Sequence, residues 1–251
     1  MVSESSAARP DYGNWISWKV LSVIGLAAAV LSALSLLFIY LLIGAIIVLV
    51  VFALAAYERY LLWPRGGDAQ GKLWDLLVEH LDWDGNGRAI DIGCGSGPVA
   101  IRLAKKYPSA EVVGLDYWGR QWEYSKEKCE RNARIEKVET RVSFQKGDAA
   151  KLPFEDGYFD AAVSNLAFHE VGGIKDKREV LKEALRVVKK GGRFAFQDLF
   201  TVKRFYDGEP DELLEAVRSW GVEKVALERS SWSSIANAYI RGSAAILWGV
   251  K

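Results

Sequence analysis

The sequence predicts an α/β fold, a doubly wound and mostly parallel sheet, preceded by two transmembrane helices. Three observations predict it. From about Ala69 onward, short apolar segments alternate with helical patterns, and strands separated by helices of ordinary length mean βαβ units. A glycine-rich turn, Gly93-Cys94-Gly95-Ser96-Gly97, joins an apolar strand to a helical stretch. Ahead of both, no charged residue occurs from Val20 to Tyr57.

That uncharged run is the first element. About 20 apolar residues already span a bilayer as a helix. One straight helix over the whole run would reach roughly 57 Å, nearly twice the hydrocarbon core. Two spans joined near Ser35 to Tyr40 fit better, and one tilted span is the other reading. Ala53-Leu54-Ala55 resembles a signal-peptide cleavage site, but the apolar core of such a peptide runs only about 7–15 residues. Trp15 and Trp18 precede the run, and Tyr57, Tyr60 and Trp63 follow it, as interfacial aromatic belts do. A hairpin puts both belts on one side, beside Arg9, Lys19, Arg59 and Arg65, and the positive-inside bias makes that side cytoplasmic. The expected organisation is a cytoplasmic segment at 1–19, a hairpin at 20–57, a linker at 58–72 broken by Gly66-Gly67, and a globular domain at 73–251.

Within that domain, Leu73, Leu76, Leu77 and Leu81 recur at helical spacing. Strand AIDI (89–92) follows, then a helix from about Gly97 to Lys106, strand EVVGLD (111–116), and a polar helix over about 120–134. Strands VSFQKGD and FDAAVSN come next, then a helix around 177–188 and strand RFAFQDLF. Two late strands, VEKVALER and AAILWGVK, lie close in sequence and pair antiparallel at a sheet edge.

Composition narrows the chemistry. With 33 basic and 32 acidic residues the charge is balanced, which gives no reason to invoke nucleic acid, whose binders carry a basic excess. Cys94 and Cys129 form no C-x-x-C or metal spacing, and His80 and His169 are the two imidazoles. A multi-histidine metal site is excluded, and two free thiols in a reducing compartment are expected.

In an open α/β sheet, ligands sit beyond the carboxyl ends of the strands, at the switch point. The turn after the first strand is G-x-G-x-G. The dinucleotide fingerprint requires G-x-G-x-x-G, and its last glycine position here is Pro98. The turn's backbone N–H groups and the following helix N-terminus suit a carboxylate or phosphate. The second strand ends in Asp116, about 20 residues past the turn, where an acid takes ribose hydroxyls. The third ends in Gly147-Asp148 and the fourth in Ser164-Asn165. Singly, these are ordinary turn or cap residues. Jointly they fit an adenosine with a sulfonium and an amino-acid tail: the turn for the tail, Asp116 for the ribose, Asp148 for the adenine amino group, Tyr117 or Trp118 against the ring face.

Four stretches in order, "DIGCGSG", "GLDYW", "GDAAKLPFEDGYFDAAVSN" and "LRVVKKGGRFAFQD", resemble the motifs of class I S-adenosylmethionine-dependent methyltransferases, over roughly Leu73 to Lys251. The L-P-F-x-D-x-x-F-D segment is similar to that of small-molecule and lipid-quinone methyltransferases. The resemblance implies a seven-stranded sheet whose last strand is antiparallel. It also implies that Asp91, Gly93, Gly95, Ser96 and Gly97 hold the methionine part, Asp116 the ribose, and Asp148 with Ala149 the adenine, with Asn165 beside them. The hydrophobic hairpin departs from the soluble pattern and bears on the substrate.

Methyl transfer from a sulfonium needs a nucleophile placed in line in a dry site, and a protonated acceptor also needs a base. His169 and Glu170, a few residues past the fourth strand, are the candidates, although His169 could instead cap or pack the next helix. Trp232, Ile235, Ala236 and Tyr239 share a helical face that lines a greasy substrate entrance or is ordinary core. Tyr12 is a candidate contact for the cofactor tail. The expected enzyme methylates a membrane-resident small molecule such as a lipid headgroup, quinone or isoprenoid. The alternatives are a soluble or protein acceptor, or a non-catalytic cofactor sensor.

Overall fold

In the computed structural model, residues 9–36, 38, 41–119, 124–229 and 244–251 are described. The chain divides into two compact units, one over residues 14–72, the other joining the N-terminal stretch up to Gly13 to the residues from Leu73 on.

The first unit is a helical hairpin. Helix α1 (Trp18–Ser35) starts at an N-cap, Ser17, whose hydroxyl accepts from Val20 N at 3.3 Å. Helix α2 (Leu41–Leu62) runs antiparallel to it. Near the open end, Asn14 Nδ2 donates to Arg59 O at 3.2 Å, and the Arg59 guanidinium donates to Ile16 O and lies 4.1 Å from the Trp18 ring centre. Midway, Gly25 lets the helices approach, since a Cβ there would meet the Phe52 ring at 3.3 Å. Both helices are long and apolar enough to cross a membrane. Their apolar side chains point mostly outward: Val23 is 69 %, Leu26 67 % and Ile43 69 % exposed. A water-soluble helix pair hides one apolar stripe, whereas this one exposes apolar surface all round.

The second unit is a seven-stranded sheet of order β3-β2-β1-β4-β5-β7-β6. Strands β1 (Gly87–Ile92), β2 (Ala110–Asp116), β3 (Val142–Lys146), β4 (Phe159–Asn165) and β5 (Val188–Asp198) are mutually parallel. Strand β7 (Ala245–Val250) is antiparallel to both β5 and β6 (Lys224–Arg229). The chain passes outward from β1 through β2 to β3, then returns to lay β4 on the other side of β1. That reversal puts the switch point between β1 and β4.

One core fills each face. On one face α3 (Ala69–His80), α4 (Pro98–Lys106) and α5 (Lys126–Ile135) bring Trp74, Leu77, Leu103 and Ala133 against Ala89, Val163 and Ala195. On the other, α6 (Arg178–Arg186) and α7 (Pro210–Ser219) bring Leu181, Leu185 and Leu213 against Ile90, Ala162 and Phe196.

Two differences from the sequence expectations have physical causes. The polar helix begins at Lys126, where Ser125 caps it by accepting from Lys128 N at 3.2 Å; of the expected start, residues 120–123 lie outside the described residues. Helix α7 is additional, and Leu213 and Val217, buried one turn apart, are the period that marks it.

Candidate active site

The carboxyl ends of β1, β2, β4 and β5 converge on one edge. After β1 the chain turns through Gly93, Gly95 and Gly97 at φ +77°, +56° and +84°. Left-handed backbone is costly for any residue with a Cβ. Gly93 has a second reason to be glycine, because a Cβ would stand 2.2 Å from that of Ala167. Gly93 N and Cys94 N donate to Leu115 O at 2.8 and 3.0 Å, tying the turn to β2.

Asp116 anchors the turn further. Its two carboxylate oxygens accept from Gly95 N at 2.8 Å and Trp118 N at 2.7 Å. Each oxygen keeps a lone pair for a hydroxyl. Trp118, at φ +44°, is turned onto the glycine turn and its Nε1 donates to Gly95 O at 2.8 Å. Tyr117 is 65 % exposed, with Lys146 Nζ 5.4 Å from its ring centre. Asp148 is exposed and closes its own turn by accepting from Ala150 N at 2.8 Å, with the partly buried Ala149 between them.

Asp91 is 1 % exposed; Oδ2 accepts from Ala100 N at 2.9 Å and Oδ1 has no partner. Burial pushes its carboxyl up to about 7, against the Ala100 N–H and with the charge of Asp116. A cation beside Oδ1 would reverse that penalty. The ammonium of an amino-acid tail is such a cation, so this orphaned oxygen, the open glycine turn and the spare lone pairs of Asp116 fit S-adenosylmethionine.

Several supports of the turn, Asp11, Asn132 and Cys129, were not legible as site residues, whereas Ser96 was. Ser96 Oγ donates to Tyr12 O at 2.6 Å. Buried Asn132 donates to Ser96 O and Asp11 O, and accepts from Asp11 N. Cys129 donates its thiol to Gly95 O at 3.1 Å. The N-terminal stretch thus straps the turn through its backbone. The Tyr12 side chain goes elsewhere: it packs edge-on to Trp74 at 5.8 Å and donates to Glu136 at 3.2 Å, and it does not face the turn as a tail contact.

Beyond β4, Leu166 takes φ +52° and a 3-10 turn covers Phe168–Glu170. Its partner is Asp198, the last residue of β5, fully buried. Asp198 accepts from Phe168 N, His169 N and Leu199 N, and its Oδ1 lies 2.6 Å from His169 Nδ1. On the other ring nitrogen, His169 Nε2 is 3.4 Å from Glu170 Oε1. Burial opposes charge on the imidazole, but hydrogen bonds to Asp198 and Glu170 hold its pKa up to about 9. The same contact with His169 lowers that of Glu170. The readable signal for Asp198 was a polar pair, Gln197-Asp198, closing an apolar strand. Trp232 and Tyr239 lie outside the described residues.

Residues 90–196 match a family model described as "Methyltransferase domain". By this likeness residues 90–196 form a methyltransferase domain of the S-adenosylmethionine-dependent kind. It is 32 % identical over 160 residues to 27-O-demethylrifamycin SV methyltransferase of Amycolatopsis mediterranei, covering 64 % of this chain and 55 % of that protein. It is 31 % identical over 131 residues to a ubiquinone/menaquinone biosynthesis C-methyltransferase of Geotalea daltonii, covering 52 % of each. The chain spans about half the length of these relatives. Among solved structures, a [4+2]-cyclase superposes with TM-score 0.56 at 24 % identity, over 72 % of this chain and 80 % of that one. A geranyl diphosphate methyltransferase gives 0.53 at 17 %, over 70 % and 83 %. At such identities the likeness is of fold alone, and a fold hosts several chemistries.

Proposed function

We propose that this chain is a membrane-anchored methyltransferase that moves a methyl group from S-adenosylmethionine to a small, hydroxyl-bearing acceptor of quinone or related lipid type. The observation that carries the reading is the convergence on one sheet edge of the glycine turn, Asp116 and the His169–Asp198 pair. Relatives named for quinone and rifamycin methylation support a small ring-bearing acceptor. The outward apolar surface of α1 and α2 supports anchoring, since exposed patches of that extent mark membrane or partner contact. The methyltransferase domain then faces the cytoplasm, where the cofactor is made.

In this reading Asp91 and the Gly93–Gly97 turn take the amino-acid tail, Asp116 the ribose hydroxyls, and Asp148 with Tyr117 the adenine. When bound, the cofactor supplies an electrophilic methyl that needs no further activation. Asp198 accepts the Nδ1 proton of His169 and fixes the tautomer that leaves Nε2 as the proton acceptor. His169 Nε2 then receives the acceptor hydroxyl's proton as the oxygen or adjacent ring carbon attacks. Because the imidazole is held protonated up to about pH 9, this base works in the fraction of molecules that have lost the Nε2 proton. Carboxylates on both sides orient the ring and set that pH threshold.

Calorimetric titration with S-adenosylhomocysteine tests the cofactor half. Micromolar binding by the full chain, lost in Asp116→Ala, is expected; binding unaltered by Asp116→Ala would remove the ribose assignment.

A further inference from the structure

Among the described residues, six buried side-chain atoms have no hydrogen-bond partner: Asp91 Oδ1, Asn165 Oδ1, both amide atoms of Gln197, Trp248 Nε1 and the Tyr206 hydroxyl. The first five belong to one face of the sheet. In parallel β4 and β5 Asn165 stands opposite Gln197, and in antiparallel β5 and β7 Ala195, two before Gln197, stands opposite Trp248. Asp91 stands opposite Val163, two before Asn165. Residues opposite one another or two apart project to the same side, and here that side is the one packed by α3, α4 and α5. Buried polar groups are nearly always paired, and one left unpaired calls for a partner, a bound ligand or an internal water among them.

Asp91 lies over β1 and serves the cofactor tail. Gln197 is two strands away, about 10 Å in the hydrogen-bonding direction, too far for one polar group to serve both. It is fully buried, with donor and acceptor both idle. Its neighbours in the row add an acceptor, Asn165 Oδ1, and a donor, Trp248 Nε1. Gln197 also directly precedes Asp198, which orients His169.

We infer that Gln197, flanked by Asn165 and Trp248, is the specificity-determining group for the methyl acceptor, and that it recognises an aromatic ring with two adjacent oxygens, one donating and one accepting. The inference rests on the methyltransferase reading and adds the acceptor's polar signature. A catechol or a reduced hydroxyquinone has that signature. The amide nitrogen of Gln197 donates to one oxygen while its carbonyl accepts the neighbouring O–H, an arrangement a single hydroxyl cannot complete. An analogue that leaves buried partners unpaired is rejected far more strongly than one that merely lacks bulk.

The test uses the full chain with S-adenosylhomocysteine present, titrated calorimetrically with 2,3-dihydroxynaphthalene and with 2-naphthol. The wild type should bind the diol at least tenfold more tightly. Gln197→Leu should bind the two equally, keep its affinity for S-adenosylhomocysteine, and melt at or above the wild-type temperature, because an unpaired amide has been replaced by a methyl-ended side chain of similar size. Three results would overturn the inference: no discrimination by the wild type, weakened S-adenosylhomocysteine binding in Gln197→Leu, or a lower melting temperature with diol binding intact. The second would assign the amide to the cofactor, the third to an internal water. A wild type that binds the diol selectively but not S-adenosylhomocysteine refutes the methyltransferase reading instead.

Discussion

Substituting Gly93 with alanine should be among the most damaging single changes in the domain. The backbone there is left-handed at φ +77°, and the added Cβ would stand 2.2 Å from the Cβ of Ala167. Left-handed backbone costs an alanine about 1–2 kcal/mol. Carbon atoms in contact prefer about 3.5–4 Å, so the turn or the segment before His169 must move by about 1 Å, and forced overpacking of this kind costs about 1–3 kcal/mol. Together these give a loss of about 2–5 kcal/mol. The two parts separate experimentally. Adding Ala167→Gly removes the methyl contact but leaves the backbone cost, so the double variant should recover about 1–3 kcal/mol of the loss. Urea unfolding followed by tryptophan fluorescence reads both, provided the slope with denaturant is unchanged. A Gly93→Ala protein with the wild-type midpoint, or one that Ala167→Gly fails to rescue, would refute the reasoning that the glycine turn and the His169 segment are pressed together.

Further outcomes follow from the charged groups. The His169 pKa is raised in the folded state from 6.5 to about 9, so its pairing contributes stability that is fully present below about pH 6.5 and lost as pH rises through about 9. The difference is about 3 kcal/mol at most; Asp198→Asn should reduce that dependence in a pH series of melts to the part that Glu170 supplies, and a series unchanged by the substitution would contradict it. In the catalytic reading, kcat/KM should climb with pH toward about 9, and His169→Gln should flatten the profile as well as lower it. Asp91 is raised to about 7 by burial, so in the free protein its charge destabilises as pH rises through about 7. Asp91→Asn should therefore melt higher than wild type above pH 7 while binding S-adenosylhomocysteine at least tenfold more weakly. A variant that loses both stability and binding would show instead that the carboxylate is structural.

Much of the fold was readable because its signals are local. AIDI, EVVGLD and FDAAVSN are apolar runs bounded by glycine or acid, and they emerge as β1, β2 and β4. The glycine turn and Asp116 were legible because a left-handed turn and a strand-ending acid each demand particular residue types at a fixed separation. Asp198 was not, because its role depends on β5 lying next to β4, a pairing that joins residues 29 apart in sequence. Gln197 and Asn132 were hidden for the same reason: a buried amide in an apolar strand or a polar helix acquires meaning from what it meets across the sheet. Tyr12 shows the converse error. Its backbone carbonyl meets Ser96 in the turn, but its ring packs against Trp74 with Arg102 beside it.

The most direct test of the central claim is to incubate the detergent-purified full chain with methyl-labelled S-adenosylmethionine and a total membrane lipid extract, and to count label in the organic and aqueous phases. The account predicts label in the organic phase, rising with pH toward about 9 and absent in Asp116→Ala. Cofactor binding without label in either phase, with lipid or soluble extract, would contradict it.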